Sequence, residues 1–315
     1  MFGEVKTHKK IRTIRQKGMR RTQLELLALM VPGVILLFMF NYAPMFGAII
    51  AFKEYNPNLG ILKSAWVGLK NFEFFFKSQD ALRVSMNTLG YAVLFRIVGI
   101  ITEVSLAVVL YEITSRFALK VYHTIMILPH FLSWVLVGYI TYAILNPTYG
   151  ILNDILVFFG KSEIDVYSNP SYWPLILTVT YTWKVIGMNS VIYYAALMGI
   201  DASLIEAAKI DGANKFQEIT KIKIPQIASV ICILLILGMG SIFHGDFGLF
   251  YQIPRDIGTL YPTTDIVDTY IYRGIKNADI GATSAVGLFQ AVVGLIMILG
   301  SNAIVRKIDP DSSMF

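Results

Sequence analysis

Long apolar stretches, separated by short polar segments, run through this chain of 315 residues. Residues 26–52 contain no Asp, Glu, Lys or Arg, and residues 121–153 share this property. A helix needs about 20 apolar residues to cross the hydrocarbon core of a membrane. The pattern therefore predicts an all-α integral membrane protein with six transmembrane helices, over residues 24–52, 84–111, 121–145, 173–198, 226–244 and 281–305.

Two segments depart from this pattern. Pro129 and His130 interrupt the third apolar run, and a proline inside a helix removes a backbone hydrogen bond. Residues 53–82 are polar but carry several aromatic side chains, a composition typical of a short helix at the membrane surface. A segment of this length is too short for a second core, so we expect one membrane domain over residues 24–305.

The composition agrees with a membrane protein. Hydrophobic residues make up 55% of the chain, charged residues make up 15%, and the mean hydropathy is +0.60. Soluble domains carry about 25% charged residues, clearly more than this chain. The single cysteine, Cys232, lies in an apolar run, so no disulfide bond can form within the chain.

Positive charge is concentrated at the N-terminus, where residues 1–23 hold eight of the 27 Lys and Arg residues. Placed before a membrane span, such a segment indicates a cytoplasmic anchor on anionic lipid rather than a nucleic-acid surface. With the N-terminus inside, the predicted inside segments hold 16 Lys and Arg residues and the outside segments hold nine. This bias puts both termini, including the tail 306–315, and the loop 199–225 in the cytoplasm.

Three charged residues lie far from the ends of the predicted spans, where charge is expensive and usually faces the bundle interior or a cavity. Arg96 and Glu103 are seven residues apart in the second span, so they lie on one face of that helix. Lys184 lies in the middle of the fourth span. Two interpretations of Arg96 and Glu103 stay open: they line a pathway, or they form structural pairs with a neighbouring helix.

The loop between the fourth and fifth spans carries the most informative sequence, Glu206-Ala207-Ala208-Lys209-Ile210-Asp211-Gly212-Ala213. Its first residues favour a helix, which Gly212 ends. A second helical piece is predicted over residues 214–223, and Pro225 opens the next apolar run. The loop is thus predicted to be a helix, a glycine turn and another helix at the membrane surface.

This loop resembles the EAA loop of binding-protein-dependent ABC importers. The family motif is Glu-Ala-Ala, three residues, Gly, nine residues, then Ile-x-Leu-Pro, and the chain matches every spacing, with Ile224 in place of the leucine. The resemblance implies a type I ABC importer permease fold whose cytoplasmic coupling helix docks into a partner ATPase. The expected coupling residues are Glu206, Ala207, Ala208, Asp211, Gly212 and Ala213.

Other segments extend the resemblance over most of the chain. They look like the polysaccharide and complex-oligosaccharide branch of the carbohydrate permeases, relatives of the maltose permease, and comprise residues 31–33, 41–47, 66–72, 128–134 and 285–289. The resemblance implies a bacterial inner-membrane heterodimer of two permeases that works with two ATPase subunits and an extracytoplasmic solute-binding protein. It also implies import of an oligosaccharide by alternating access.

The same resemblance places the substrate pathway on the fourth span and at the end of the fifth. The candidate residues are Tyr181, Trp183, Lys184, Met188, Ser241, His244 and Asp246. Aromatic rings suit sugar faces, and Lys184 offers a positive charge to a carboxylate, which gives the hypothesis of an acidic oligosaccharide. The alternative for Lys184 is a salt bridge within the bundle, with Asp246 or Glu103 as partner.

A catalytic site is not expected in this chain. Gly160-Lys161-Ser162 resembles the end of a phosphate-binding loop, but Ile155 stands where the first glycine of that motif belongs. Neither a metal-binding nor a hydrolase motif is present in the sequence, so ATP and Mg²⁺ are expected to be used by the partner ATPase alone. Two competing classes are an ion-coupled secondary transporter, using Arg96, Glu103 and Lys184, and a membrane-embedded enzyme.

Overall fold

Helices make up most of the computed structural model, which describes residue 23 and residues 25–239 and 242–308. Most of the predicted basic segment 1–23 and residues 309–315 of the predicted tail therefore lie outside the described residues. The elements in chain order are α1 (Glu25–Phe52), β1 (Lys53–Glu54), α2 (Gly60–Lys63), β2 (Ala65–Trp66), α3 (Lys70–Lys77), α4 (Gln79–Tyr111), α5 (Arg116–Ile127), α6 (Trp134–Leu145), α7 (Ile151–Phe158), α8 (Trp173–Met198), α9 (Ala202–Ile210), α10 (Lys215–Gln226), α11 (Ala228–Met239), α12 (Phe247–Gln252), α13 (Tyr261–Thr264), α14 (Val267–Lys276) and α15 (Ile280–Ile308).

Four of the described helices are long and apolar enough to cross a membrane: α1, α4, α8 and α15. Two bent pairs, α5 with α6 and α10 with α11, pass the same test when each pair is taken as one span, which brings the number to six. The bend is 99° in the first pair and 55° in the second. The predicted class, an all-α integral membrane protein, is confirmed.

The third predicted span, residues 121–145, is a broken helix in the structure. A 3₁₀ turn that includes Pro129 follows α5, and Leu132 then takes an extended conformation with φ −72° and ψ 138°. Ser133 caps the new helix α6, because its hydroxyl accepts a hydrogen bond from the backbone N–H of Leu136. The apolar composition predicts the span, but the proline and the cap turn it through a right angle.

The polar segment after α1 also differs from the prediction. The predicted surface helix is α3, whose Phe75 is buried, but a two-residue ribbon precedes it, with Lys53 opposite Trp66 and Glu54 opposite Ala65. The Lys53 amine donates hydrogen bonds of 2.8 Å to the carbonyls of Ile61 and Leu62. Strands this short leave no alternating pattern for the sequence to reveal.

Helix α4 runs through the centre of the bundle and contributes to all three buried apolar clusters. Val84 packs with α3, α14 and α15, Tyr91 packs with α6, α8 and α12, and Val104 packs with α8 and the start of α11. The first and third clusters also use α8, which is the main neighbour of α4. The two helices together form the wall against which the remaining helices pack.

Close packing against α8 depends on a glycine. A Cβ atom at Gly187 would lie 1.8 Å from the carbonyl oxygen of Met126, at the end of α5. Backbone this close to a helix leaves no room for any side chain, and small residues at such crossings are typical of membrane helices.

We expect Gly187→Ala to destabilise the fold by about 1–3 kcal/mol, the usual cost of overpacking. The measurement is the midpoint of thermal unfolding of the purified protein in detergent. The matched control is Gly90→Ala in α4, where an added Cβ meets no atom within 4 Å. Equal midpoints for the two variants would show that the α8–α5 crossing relaxes without cost.

Candidate functional site

The glycine turn between α9 and α10 is fixed by local hydrogen bonds. Gly212 has φ +82°, a left-handed conformation that favours glycine. The N–H of Ala213 donates to the carbonyl of Ala208 at 2.9 Å, and the N–H of Gly212 donates to Lys209 at 3.1 Å. These bonds are the Schellman pattern of a helix end. The predicted helix, glycine turn and second helix are present in this geometry.

The second helix of the loop begins immediately after the turn. Asn214 and Gln217 form a capping box, in which the side chain of each accepts a hydrogen bond of 2.9 Å from the backbone N–H of the other. At the tip of this loop two large apolar side chains point outward, Ile210 at 86% and Phe216 at 74% exposure. Exposed apolar groups on a rigid, polar loop are suited to contact with a protein partner.

A cluster of four charged side chains, which we call the loop clamp, joins this loop to the end of α4. It consists of Glu112, Lys215, Glu218 and Lys223. Lys215 bonds Glu112 at 2.6 Å, Lys223 bonds Glu218 at 2.6 Å, and Lys223 also bonds Glu112. The side chains of Lys223 and Glu218 are only 1% and 3% exposed.

The loop clamp is charged at neutral pH. Burial alone would raise the pKa of Glu112, but hydrogen bonds from Lys215 and Lys223 outweigh it, so this pKa is lowered from its ordinary value of 4.5. An acidic residue at the C-terminal end of a helix is unfavourable to the helix dipole and requires a cation nearby. Glu112 therefore holds the loop against α4 through its ion pairs with the two lysines.

A cavity of about 620 Å³ lies between α4, α8, α11 and the turn that precedes α12. One wall is aromatic: the rings of Phe95 and Tyr181 stack at 4.3 Å, and the rings of Tyr91 and Phe250 meet at 4.7 Å. The same cavity is lined by polar side chains, namely Arg96, Glu103, Asn189, His244 and Asp246.

The candidate pathway residues separate into three groups. Tyr181, His244 and Asp246 line the cavity, whereas Lys184, Trp183 and Met188 do not. Trp183 and Met188 are 43% and 45% exposed on the outside of the chain. Ser241 lies outside the described residues.

Lys184 has structural partners. Its amine donates a hydrogen bond of 2.7 Å to the carbonyl of His130, at the break between α5 and α6, and lies over the ring of Trp134. The indole N–H of Trp134 donates to Asp246 at 2.8 Å. The sequence suggests a direct salt bridge between Lys184 and Asp246. In the structure both residues contact Trp134, which connects them. This geometry favours the structural alternative for Lys184.

Both interpretations of Arg96 and Glu103 find support. Both side chains line the cavity, and Glu103 also accepts a hydrogen bond of 2.6 Å from the side-chain amide of Asn189 on α8. Arg96 reaches α11 at Gly238, where an added Cβ would lie 1.7 Å from a guanidinium nitrogen. Neither Asn189 nor Gly238 is predicted from the sequence, although a glycine inside an apolar run is a known signal of close approach.

A bundle of up to six spans, with a polar cavity between its helices and a rigid helical loop at one end, is the architecture of a membrane permease. Residues 96–312 match a family described as "Binding-protein-dependent transport system inner membrane component". The chain belongs to this family.

Curated relatives match almost the whole chain. The polygalacturonan/rhamnogalacturonan transport system permease protein YteP of Bacillus subtilis (strain 168) is 35% identical over 280 residues, which cover 89% of this chain and 87% of YteP. Protein LplB of the same organism is 34% identical over 284 residues, covering 90% of this chain and 89% of LplB. These matches confirm the resemblance to carbohydrate permeases.

Solved structures match as well. A chain of the bacterial alginate ABC transporter, in complex with an alginate pentasaccharide-bound periplasmic protein, superposes with a TM-score of 0.83 at 33% identity. The match covers 93% of this chain and 97% of that one. The predicted type I ABC importer permease fold is confirmed.

We expect Lys223→Met to destabilise the protein by about 3–5 kcal/mol at pH 7, because it leaves two carboxylates of the loop clamp facing each other. The measurement is thermal unfolding in detergent, and Lys221→Met, an exposed neighbour in the same loop, is the control. Equal effects of the two substitutions would show that the clamp does not hold the loop.

The same cluster predicts a pH dependence. Because the pKa of Glu112 is lowered on folding, its contribution to stability is present above the unfolded value, near 4.5, and is lost as the pH falls through the folded value. The wild-type unfolding midpoint is therefore expected to drop on acidification below about pH 4.5 more steeply than that of Lys223→Met. Parallel curves for the two proteins would contradict this assignment.

Proposed function

We propose that this chain is one transmembrane half of an ATP-driven, binding-protein-dependent importer of oligosaccharides or polysaccharide fragments. The observation that carries the proposal is the cavity with an aromatic wall. It is lined by α4, and the end of the same helix is attached to the loop 199–225, which we call the coupling loop. Stacked rings such as Phe95 and Tyr181 suit the apolar faces of sugars. The relatives named for polygalacturonan, rhamnogalacturonan and alginate transport support this substrate class, including its acidic members.

The partners follow from the surfaces that the chain leaves open. The distribution of Lys and Arg supports a cytoplasmic position for the coupling loop and for both termini. There the exposed Ile210 and Phe216 would meet an ATPase subunit, which binds ATP and Mg²⁺ and is present in two copies. A second permease and lipid would cover α1, whose apolar window is 0% buried, and the basic segment 1–23 would bind anionic lipid. A solute-binding protein would dock on the opposite side of the membrane.

Transport by alternating access then uses α4 as the connection between the two sites. When the ATPases close, they move the coupling loop, and the loop clamp passes that movement to the end of α4. The cavity residues Tyr91, Phe95 and Arg96 lie on the same helix, so the cavity changes its access as the helix moves. The chain itself holds and releases sugar and carries out no chemistry.

An ion-coupled secondary transporter is the competing class. It would use Arg96 and Glu103, which line the cavity, but it gives no role to the coupling loop, and the family is binding-protein-dependent. A membrane-embedded enzyme is disfavoured by the same family membership.

The test is ATPase activity of the reconstituted complex with its binding protein. We expect activity to rise when an oligosaccharide-loaded binding protein is added, and uptake into vesicles to require ATP. Uptake driven by an ion gradient in the absence of ATP would support the competing class instead.

Gly212→Asp is expected to leave the protein folded but to uncouple ATP hydrolysis from uptake, because a side chain at φ +82° strains the turn beside the ATPase surface. Uptake per ATP hydrolysed is the quantity to measure. Gly160→Asp is the matched control, since Gly160 has φ +70°, an equally open surrounding and a position outside the coupling loop. Normal coupling in Gly212→Asp would remove this turn from the coupling pathway.

A further inference from the structure

We propose that Arg96 binds the carboxylate groups of an acidic oligosaccharide in the cavity, and that Lys184 does not. This inference rests on the proposed function, since it assigns the charge selectivity of the same transport cavity. It replaces the sequence-based hypothesis, in which Lys184 provides the positive charge.

The two cations occupy different positions relative to the cavity. The Lys184 amine donates hydrogen bonds to the carbonyls of His130 and Pro129, at 2.7 and 3.5 Å. The Lys184 side chain is buried and does not line the cavity. Arg96 lines the cavity, and its side chain is exposed. Among the described residues that line this cavity, Arg96 is the one permanent cation.

A glycine on the neighbouring helix makes room for the guanidinium of Arg96. Gly238 on α11 faces Arg96, and a Cβ there would overlap the guanidinium, at 1.7 Å from Nη2 and 2.1 Å from Cζ. A charged group inside a membrane bundle is costly and is kept where it serves a pathway. The glycine lets Arg96 lie between α4 and α11 rather than extend along its own helix.

Aromatic rings lie beside Arg96 in the cavity wall. Phe95, the preceding residue, stacks on Tyr181 at 4.3 Å with an interplanar angle of 8°. An aromatic wall beside a guanidinium provides a surface for a sugar ring and a planar, two-pronged donor for its carboxylate. A neutral sugar uses only the first of these, so the pair of features favours an acidic one.

Two carboxylates also line the cavity and would repel an acidic sugar. Glu103 accepts the hydrogen bond from Asn189, and Asp246 accepts hydrogen bonds from the Trp134 indole at 2.8 Å and from the N–H of Leu249 at 3.3 Å. These protein donors face the carboxylates and partly offset their charge. Arg96 precedes Glu103 by two helical turns, so the sugar carboxylate is expected at the Arg96 end of the cavity.

The test is uptake by the reconstituted complex of an oligouronide and of the same oligosaccharide with its carboxyl groups reduced to alcohols. Arg96→Gln is expected to lower uptake of the acidic sugar by about tenfold or more, as for loss of a hydrogen bond to a charged group, and to change uptake of the neutral one by less than about twofold. Arg96→Lys keeps the positive charge but loses the planar, two-pronged donor of the guanidinium. It is expected to retain part of the uptake of the acidic sugar.

Two further variants separate binding from folding. Gly238→Ala displaces the guanidinium without removing it, so it is expected to reproduce the selective loss of acidic uptake. Arg116→Gln removes a positive charge from an exposed position at the start of α5 and is expected to leave both uptakes unchanged. Thermal midpoints in detergent show which variants remain folded.

The outcomes are distinct. Selective loss of acidic uptake in Arg96→Gln supports the assignment. Equal loss of both uptakes, or no loss, overturns it and returns Arg96 to a structural role. If the wild type takes up the reduced sugar but not the acidic one, the assignment is overturned, while the proposed import function is retained. Absence of ATP-dependent uptake of either sugar by the wild type refutes the proposed function and the assignment with it.

Discussion

The buried contact of Lys223 with Glu112 and Glu218 is the interaction on which the rest of the structure depends, because it joins the loop 199–225 to the central helix α4. Charges of this kind are stabilising only as a complete set, since removal of one partner leaves another buried and uncompensated. A purely apolar contact is non-directional and would not fix the position of the loop along α4. Glu112 at the end of α4 pairs with both Lys215 and Lys223 of the loop, and Lys223 also pairs with Glu218 inside the loop, so the loop is attached to α4 by two ion pairs.

Features encoded within a few residues could be predicted from the sequence. The Schellman turn at Gly212 and the capping box at Asn214 are formed by residues close to one another in the chain. The local sequence is therefore enough to determine their geometry. Apolar length identifies α1, α4, α8 and α15 in the same way. The right-angled break after Pro129 was signalled by the proline, but its size depends on the cap at Ser133 and on Lys184, which bonds the carbonyls at the break.

Features made between helices could not be predicted, because the sequence does not show which helical faces meet. The sequence predicts that Lys184 faces substrate or a carboxylate, and in the structure its amine donates to the carbonyl of His130 at the break between α5 and α6. Glu112 has a partner 111 residues away, and only its unfavourable position at a helix C-terminus hints at one. The cavity is composed of residues from α4, α8 and α11 that no local pattern brings together.

The unbroken geometry of α4 explains how one helix serves both sites. Arg96 and Glu112 are sixteen residues apart, about 24 Å along a helix axis, and α4 contains no proline between Gln79 and Tyr111. The third span, in contrast, bends by 99° and would absorb a displacement rather than pass it on. In the proposed transport cycle, a displacement of the loop 199–225 would reach the cavity wall through α4, whose end is held by the loop clamp and whose residues Tyr91, Phe95 and Arg96 line the cavity.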